Sequence, residues 1–297
     1  MKINKRRTNG DQVFHIATMV FLLLLAAVIL YPLVYVLSAS FSDANMVAAG
    51  KIYLLPKGLN LEGYKAVFQY KKVLRGYANT IFYTVVGTFI NIVLTMTCAY
   101  PLSRPDMQWK RFYSIFFLIT MFFGGGLIPT YILVSKLHLT NTVAIMLIGS
   151  AISVYNMIVC RTFLQTNIPR ELLDSSLVDG CNDYQYFFRI VLPLSKAILA
   201  VLALYYAVAH WNSYFNAMIY LNDLDKYPLQ LFLRQILVMN QVNPSDMMDP
   251  SLLEAKKGMS ELLKYSLIVV STVPIMFIYP FVQKHFAKGV MIGSIKG

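Results

Sequence analysis

Long apolar stretches separated by polar connections dominate the pattern of this chain. A helix needs about 20 predominantly apolar residues to cross the roughly 30 Å hydrocarbon core of a bilayer. Stretches of that length lie at residues 14–38, 79–102, 112–134, 142–164, 194–220 and 262–282. The pattern therefore predicts six transmembrane helices within one domain at residues 13–284, with a basic segment at 1–12 before it and a tail at 285–297 after it.

Composition agrees with a membrane location. The chain is 57% hydrophobic and 13% charged, with a mean hydropathy of +0.57, whereas a soluble domain carries about 25% charge. Lipid offers bare backbone groups no hydrogen-bond partner, so apolar spans of this length have to be helical. The fold class predicted is an all-α integral membrane protein.

The third predicted span contains the helix-breaking run "FFGGGLIPTYIL". Each of the glycines Gly124, Gly125 and Gly126 weakens a helix by about 1 kcal/mol relative to alanine. A break at membrane depth is tolerated where it is buried in protein or lines a cavity. Two interpretations stay open, which are a close crossing of two helices and a substrate pathway that Gly125 lines.

Basic residues set the predicted orientation and the predicted surface partner. The formal net charge is +12, and the basic residues lie at the ends of the apolar runs, which favours anionic lipid over nucleic acid as the partner. The run "KINKRR" directly precedes the first span, and the connection at 103–111 is short and basic. By the positive-inside rule, both termini are predicted to be cytosolic, in a multi-pass protein of the cytoplasmic membrane.

No residue set in the sequence is typical of catalysis. His15, His138, His210 and His285 have no metal-ligand spacing, and "GLNLEGYK" lacks the lysine that must directly follow the second glycine of a phosphate loop. We therefore predict a protein that is not an enzyme and that holds no metal or cofactor. The second span carries no charged residue, which disfavours a self-powered carrier with buried ionisable groups.

A polar segment at residues 168–193 separates the fourth and fifth spans. Pro169 followed by an acid is typical of a helix start, Gly180 permits a sharp turn, and Asn182 is a candidate N-cap for a second helix. The segment is thus predicted to be helix, turn and helix, with aromatic residues near its end. Two interpretations remain: docking into a groove of a partner protein, or packing on lipid and on its own spans.

The spacing in this segment resembles the coupling-loop signature of ABC importer permeases, which reads E-A-A, three residues, G, nine residues, I, one residue, L-P. Here the corresponding residues are Asp174-Ser175-Ser176, Gly180, Ile190 and Leu192-Pro193, with aspartate in place of glutamate and two serines in place of two alanines. The stretches "HWNSYFNAMIYLND", "YPLQLFLRQIL" and "YPFVQKHFAKGVMIGSIKG" extend the resemblance over nearly the whole chain. The chain is most similar to the complex-oligosaccharide subgroup of the six-span carbohydrate-import permeases.

This resemblance implies a permease subunit of an ATP-driven, binding-protein-dependent bacterial importer of oligosaccharides. It implies four kinds of partner: a second homologous permease in a heterodimer, two cytosolic ABC ATPases that bind ATP and Mg, an extracellular solute-binding lipoprotein, and the oligosaccharide itself. Residues 168–193 would then be a coupling helix. The ATPase-docking residues it implies are Asp174, Ser175, Ser176, Asp179, Gly180, Tyr184 and Phe187.

The resemblance also implies a second contact with the ATPase at the end of the chain. The residues concerned are Gly293, Ser294, Lys296 and Gly297. The alternative is a basic terminus that lies beside the membrane without such a contact.

For the substrate pathway, the fifth span offers "YYAVAHWNSYFNAMIY". Sugars bind through aromatic faces and amide groups, and Trp211, Asn212, Tyr214 and Asn216 supply both. The amides serve equally well as hydrogen bonds between helices, worth about 0.6–2 kcal/mol each, so pathway and packing both remain open.

Two outer features add detail. Lys71, Lys72 and Arg75 either attract an acidic oligosaccharide or anchor the second span at lipid headgroups. In "PLQLFLRQILVMN" the apolar residues Leu229, Phe232, Leu233, Ile236 and Leu237 recur at helical spacing, which predicts a short amphipathic helix on the membrane surface or against neighbouring spans.

Other functions stay open beside the oligosaccharide importer. One is the same architecture with another solute. Another is a membrane sensor or scaffold whose polar segment docks a kinase or other cytosolic partner. The absence of a soluble output domain disfavours the sensor.

Overall fold

The computed structural model describes residues 9–239 and 258–277, and every regular element in these two ranges is a helix, which confirms the predicted all-helical class. A π-helical turn at Phe187–Val191 and a 3-10 turn at Leu224–Lys226 add to the α-helices. In chain order the helices are α1 (Asn9–Ser40), α2 (Ala44–Ala48), α3 (Glu62–Gln69), α4 (Lys71–Ser103), α5 (Lys110–Phe122), α6 (Leu127–Lys136), α7 (Val143–Ile148), α8 (Val154–Asn167), α9 (Arg170–Val178), α10 (Asp183–Tyr186), α11 (Leu192–Leu194), α12 (Lys196–Trp211), α13 (Tyr214–Tyr220), α14 (Leu229–Met239) and α15 (Gly258–Phe277).

Three of the described helices, α1, α4 and α15, are long and apolar enough to cross a bilayer. Two bent pairs also have the length and composition of a span. The pair α5 and α6 bends by 111°, and the stretch Asp183–Leu194 bends by 78° against α12, so up to five spans are present among the described residues. The predicted break in "FFGGGLIPTYIL" is confirmed, because the chain leaves helical geometry between α5 and α6.

The predicted fourth span, 142–164, is divided into α7 and α8 by the stretch Gly149–Ser153. Small and hydroxyl-bearing residues explain this division, because serine and threonine favour helix starts over helix interiors. The Thr142 hydroxyl accepts a hydrogen bond from the Ile145 amide at 3.4 Å and caps α7. The Ser153 hydroxyl accepts one from the Asn156 amide at 3.4 Å and caps α8.

The described residues form two compact units, and each is treated by itself. The first comprises residues 9–70, 236–239 and 258–271. Its small core contains Ala39, Val47 and Ile52, with Tyr35 and Tyr265 packed against them. Ser40 and Tyr64 share a hydrogen bond of 2.7 Å between their hydroxyls. Helix α1 contributes Tyr35 and Ala39 from its C-terminal end to this core, whereas its most apolar window is not buried at all.

The second unit comprises residues 71–235 and 272–277, and α4 is its central helix. One side of α4 is buried along its whole length at positions three or four apart, which is the spacing of a single helix face. That face packs on α8 and α12. The core is made of these residues: Met96, Ala99, Leu102, Met157, Cys160, Leu164, Leu173, Tyr186, Val191, Ile198, Leu202 and Tyr206.

Helix α14 confirms the predicted amphipathic helix and shows where its apolar side goes. Leu229, Leu231 and Phe232 are buried and Arg234 is exposed. Phe232 lies so close to Gly76 of α4 that a Cβ there would be 2.7 Å from its ring. The Thr80 hydroxyl accepts a hydrogen bond of 2.8 Å from the Leu229 amide. The start of α14 therefore packs against α4, which is the second of the two predicted positions.

Candidate docking and transport sites

The polar segment at 168–193 folds as its sequence predicts. Helix α9 begins after Pro169 and ends just before Gly180, which has φ +76° and turns the chain. Asn182 starts α10 with a capping box. Its side-chain oxygen accepts from the Gln185 amide at 2.8 Å, and the Gln185 side chain accepts from the Asn182 amide at 3.1 Å. The predicted turn at Gly180 and the predicted helix start at Asn182 are both confirmed.

The predicted docking residues divide between two sides of this segment. Asp174, Ser175, Asp179, Gly180 and Tyr184 are exposed, and Tyr184 keeps 78% of its surface.

Ser176 and Phe187 point inward instead. Ser176 is 3% exposed and its hydroxyl donates to the Leu173 carbonyl at 2.7 Å. The Phe187 ring packs 4.9 Å from the ring of Tyr100 on α4. Ser176 is buried and Phe187 is partly buried against the core of the second unit, so neither belongs to the exposed side of the segment.

Two apolar side chains that the site prediction left out belong to the exposed side. Leu177 is 56% exposed and Val178 is 88% exposed, directly before the Gly180 turn. We call Asp174, Leu177, Val178 and Tyr184 the outer face of the segment. The signal for Val178 was present in the sequence, because it falls off the stripe of Leu173 and Ser176 that faces inward.

Arg104, at the end of α4, fastens this segment to the helix core. Its guanidinium donates to Asp106 at 2.5 Å, to Asp183 of α10 at 2.8 Å and to the Tyr100 hydroxyl at 3.1 Å. Hydrogen bonding to Arg104 lowers the pKa of Asp106, and the same pair raises the pKa of Arg104. The sequence contained no signal for the link to Asp183, since 79 residues separate the two.

The predicted fifth span is interrupted within its proposed pathway stretch. Helix α12 ends at Trp211, and α13 begins at Tyr214. The Asn212 side chain donates to the Val208 carbonyl at 2.9 Å, and so it pairs with the last turn of α12. The interruption separates Trp211, the last residue of α12, from Asn216 in α13.

The predicted pathway residues therefore do not share one cavity. Trp211 is 5% exposed, packs edge-on against Tyr77 at 6.0 Å, and borders an apolar cavity of about 420 Å³ between α4 and α12. Asn212 and Asn216 line a different cavity of about 230 Å³. Tyr214 is 41% exposed and lines neither of these two cavities.

Gly125, the remaining pathway residue, lies exposed at the bend between α5 and α6. Apart from its chain neighbours, only one group among the described residues, the Pro129 side chain at 3.7 Å, lies within 4 Å of the position where a Cβ would be built. Within the described part of the chain, the bend is therefore not a close crossing of two helices.

A buried polar cluster beside the smaller cavity was not predicted. The Asn91 amide of α4 donates to the carbonyls of Ser150 and Ala151 at 2.7 and 2.8 Å, and its oxygen pairs with His210 Nε2 at 2.7 Å. These bonds satisfy two carbonyls that the α7–α8 break leaves free. Gly87 makes room for the histidine, because a Cβ at that position would collide with the imidazole ring.

The residues that the structure describes contain no group of three or more His, Cys, Asp or Glu side chains placed to hold a metal ion. The predicted tail contacts Gly293, Ser294, Lys296 and Gly297 lie outside the described residues.

Comparison with known proteins defines the class. The chain matches the family of binding-protein-dependent transport system inner membrane components over residues 63–292, which is most of its length. It therefore belongs to this family, the permease subunits of ABC importers. The match confirms the family resemblance that the sequence showed. The chain is a transport subunit rather than an enzyme, and the ATPase is a separate subunit.

Individual relatives are similar over nearly their full length. The protein LplC of Bacillus subtilis (strain 168) is 38% identical over 292 residues, covering 98% of this chain and 97% of LplC. The polygalacturonan/rhamnogalacturonan transport system permease protein YtcP of the same organism is 38% identical over 277 residues, covering 93% and 96%. A chain in the crystal structure of a bacterial ABC transporter involved in the import of the acidic polysaccharide alginate has a TM-score of 0.86 and 34% identity, covering 94% of this chain and 98% of that one.

Proposed function

We propose that this chain is one of two six-span permease subunits in an ATP-driven bacterial importer of oligosaccharides, with both termini in the cytosol. The sugar class is supported by relatives described as polygalacturonan/rhamnogalacturonan and arabinooligosaccharide permeases. The count of six takes α7 and α8 as one interrupted span beside the five spans or bent pairs described above. The partners in this proposal are a second homologous permease, two ABC ATPases and an extracellular solute-binding lipoprotein.

The outer face of the segment at 168–193 is the proposed docking site for the ATPase, and it is the observation that carries the proposal. Exposed leucine, valine and tyrosine side chains are costly in water and are typical of surfaces that a partner covers. Val178 and Tyr184, at 88% and 78% exposed, flank the Gly180 turn in a chain that belongs to the importer permeases. The tail at Gly293–Gly297 is a second proposed contact with the ATPase.

In this proposal the segment is a mechanical joint. When the ATPase subunits close on ATP, the groove that holds the outer face moves and carries the segment with it. Arg104 links the segment to α4, and the inward rings of Tyr186 and Phe187 pack against Tyr100 of that helix. Movement of the segment is therefore delivered to α4 as well as to α12, which follows the segment directly in the chain.

The acidity of the transported sugar is the second part of the proposal. The relatives named for polygalacturonan and alginate favour an acidic oligosaccharide. Lys71, Lys72 and Arg75, exposed at the beginning of α4, supply positive charge for it. If these residues instead anchor α4 at lipid headgroups, replacing all three by glutamine will slow acidic and neutral trisaccharides equally.

Gly180→Trp tests the docking site, with Gly50→Trp as its matched control. Both glycines have positive φ, +76° and +65°, and a Cβ at either position meets no atom within 4 Å in the part of the chain that the structure describes. Backbone strain from the substitution is therefore similar, and only the variant at Gly180 places a bulky ring on the outer face. Each variant is expressed with its partners, solubilised from its native membrane and purified, and the proteins that accompany it are identified.

We expect Gly180→Trp to lose the ATPase and uptake but to keep the second permease. Gly50→Trp should keep the ATPase, the second permease and uptake. Normal uptake by Gly180→Trp would contradict the docking site. A wild-type chain that is purified alone or with a kinase would contradict the importer and favour the sensor. Uptake into vesicles that contain this chain alone would favour a self-powered carrier.

A further inference from the structure

The cavity of about 230 Å³ is lined by polar side chains that meet from three helical regions. Asn91 comes from α4, Ser150 from the α7–α8 break, and His210, Ser213 and Asn216 from α12 and the residues that follow it. At roughly 30 Å³ for each water molecule, the space corresponds to about eight waters. That is room for one sugar ring with its hydroxyls.

Hydrogen bonding fixes the tautomer of His210 in this cavity. Both amide hydrogens of Asn91 are donated to the carbonyls of Ser150 and Ala151, so Asn91 faces His210 with an oxygen that only accepts. The bond of 2.7 Å between the two residues must then use the proton on His210 Nε2. A neutral imidazole protonated at Nε2 has a free acceptor at Nδ1, and Nδ1 has no partner among the described residues.

Two further polar groups at the cavity are unpaired. The Ser213 hydroxyl is shielded from solvent and has no hydrogen-bond partner in the part of the chain that the structure describes. The Asn216 amide likewise makes no side-chain hydrogen bond with the described residues, although it lines the cavity. A buried hydroxyl without a partner costs about 1–3 kcal/mol, and rotation about one bond can turn that of Ser213 towards a ligand.

From these groups we infer a subsite for one sugar residue of the transported oligosaccharide, formed by His210, Ser213 and Asn216. The inference rests on the proposed function and deepens it. Sugar hydroxyls donate to His210 Nδ1, pair with the Ser213 hydroxyl, and both donate to and accept from the Asn216 amide. Phe215 also lines the cavity and is 47% exposed, and it offers an aromatic face to the C–H surface of the ring. Asn91 acts as a positioning residue, because it sets the tautomer of His210.

The test measures the concentration dependence of uptake by the complete importer. The probes are radiolabelled trisaccharides of galacturonate, mannuronate, glucose and arabinose. Ser213→Ala and Asn216→Ala remove single polar groups, and Ala209→Leu fills the cavity from its wall. The control for a lost hydroxyl is Thr97→Ala, since the Thr97 hydroxyl is exposed and bonds the Leu94 carbonyl of its own helix at 3.0 Å. The control for added bulk is Ala207→Leu, which enters the apolar cavity that Trp211 borders.

We expect Ser213→Ala and Asn216→Ala to raise KM about 2- to 12-fold each, the factor that one neutral hydrogen bond supplies, at unchanged membrane abundance. Ser213→Thr, which keeps a hydroxyl, should restore KM, and Ala209→Leu should reduce uptake far more than Ala207→Leu. Unchanged KM in both alanine variants would overturn the subsite while leaving the importer intact, as would loss of uptake only in proportion to lost abundance. A wild-type importer that takes up none of the four probes would overturn the oligosaccharide function and the subsite with it.

Discussion

Replacing Asn91 by leucine removes three hydrogen bonds at once without leaving a large cavity. The substitution deprives the carbonyls of Ser150 and Ala151 and the Nε2 proton of His210 of their partner, and the three bonds measure 2.7, 2.8 and 2.7 Å. Hydrogen bonds between helices in a membrane contribute about 0.6 kcal/mol on average and up to about 1.7 kcal/mol. The three together predict a loss of about 2–5 kcal/mol in the free energy of unfolding.

The free energy of unfolding is measured by titrating the purified chain with SDS in mixed micelles. Asn167→Leu is the control, because among the described residues the Asn167 amide bonds only Thr166 and the Phe163 carbonyl of its own helix. That variant should change stability by about 1 kcal/mol or less, because a neutral hydrogen bond contributes about 0.5–1.5 kcal/mol net and these two bonds are partly open to solvent. A double-mutant cycle with His210→Ala should show positive coupling. If Asn91→Leu remains within about 0.5 kcal/mol of the wild type, the three bonds carry no net stability, and the interpretation of the cluster is wrong.

Two further predictions concern the polar segment. Asn182→Ala breaks the capping box of α10 and should destabilise this helix by about 0.5–2 kcal/mol. The effect is measured as faster amide hydrogen exchange at Asp183–Tyr186, with no change in α9. Equal exchange in both proteins would mean that tertiary contacts alone hold α10. Arg104 lowers the pKa of Asp106 below its ordinary value of 3.8, so the stability that this pair contributes is complete above that pH and is lost as the pH falls through the lowered value. This pair should therefore not change the thermal stability between pH 7 and pH 5. Below about pH 4 the wild type should lose thermal stability, and Asp106→Asn should lose less. If Asp106→Asn loses as much stability below pH 4 as the wild type, this pair does not cause the loss.

The long helices and the turns and breaks at glycine could be predicted because both depend on local sequence. Apolar length predicted the span-length helices α1, α4 and α15. Gly180, with a positive φ, follows the end of α9, and Gly126, also with a positive φ, directly precedes α6 at the predicted break. The break in the fourth span was missed because its stability depends on a distant residue. Ser150 is 59 residues from Asn91, whose amide makes a free carbonyl tolerable there.

The docking and pathway residues were only partly predictable for the same reason. The family resemblance placed Ser176 and Phe187 with the docking residues, but Ser176 is buried and the Phe187 ring packs against Tyr100 of α4. Along the fifth span, helical spacing assumed an unbroken helix. The interruption after Trp211 sends Trp211 and Asn216 to different cavities, and no pattern within that stretch indicates which one each will border.

The long first helix has a consequence for how the chain is made. Helix α1 is more apolar than α4 and its most apolar window is not buried, so it can leave the translocon for lipid before α4 has been synthesised. Helix α4 is less apolar than α1. Its Asn91 pairs with His210, which is synthesised 119 residues later. At about 5–20 residues per second the delay is roughly 6–24 s, during which α1 tethers a nascent chain whose central helix is still unpaired. Truncation of α1 should therefore act first on membrane insertion of the nascent chain and on its degradation by membrane proteases, before sugar transport is involved.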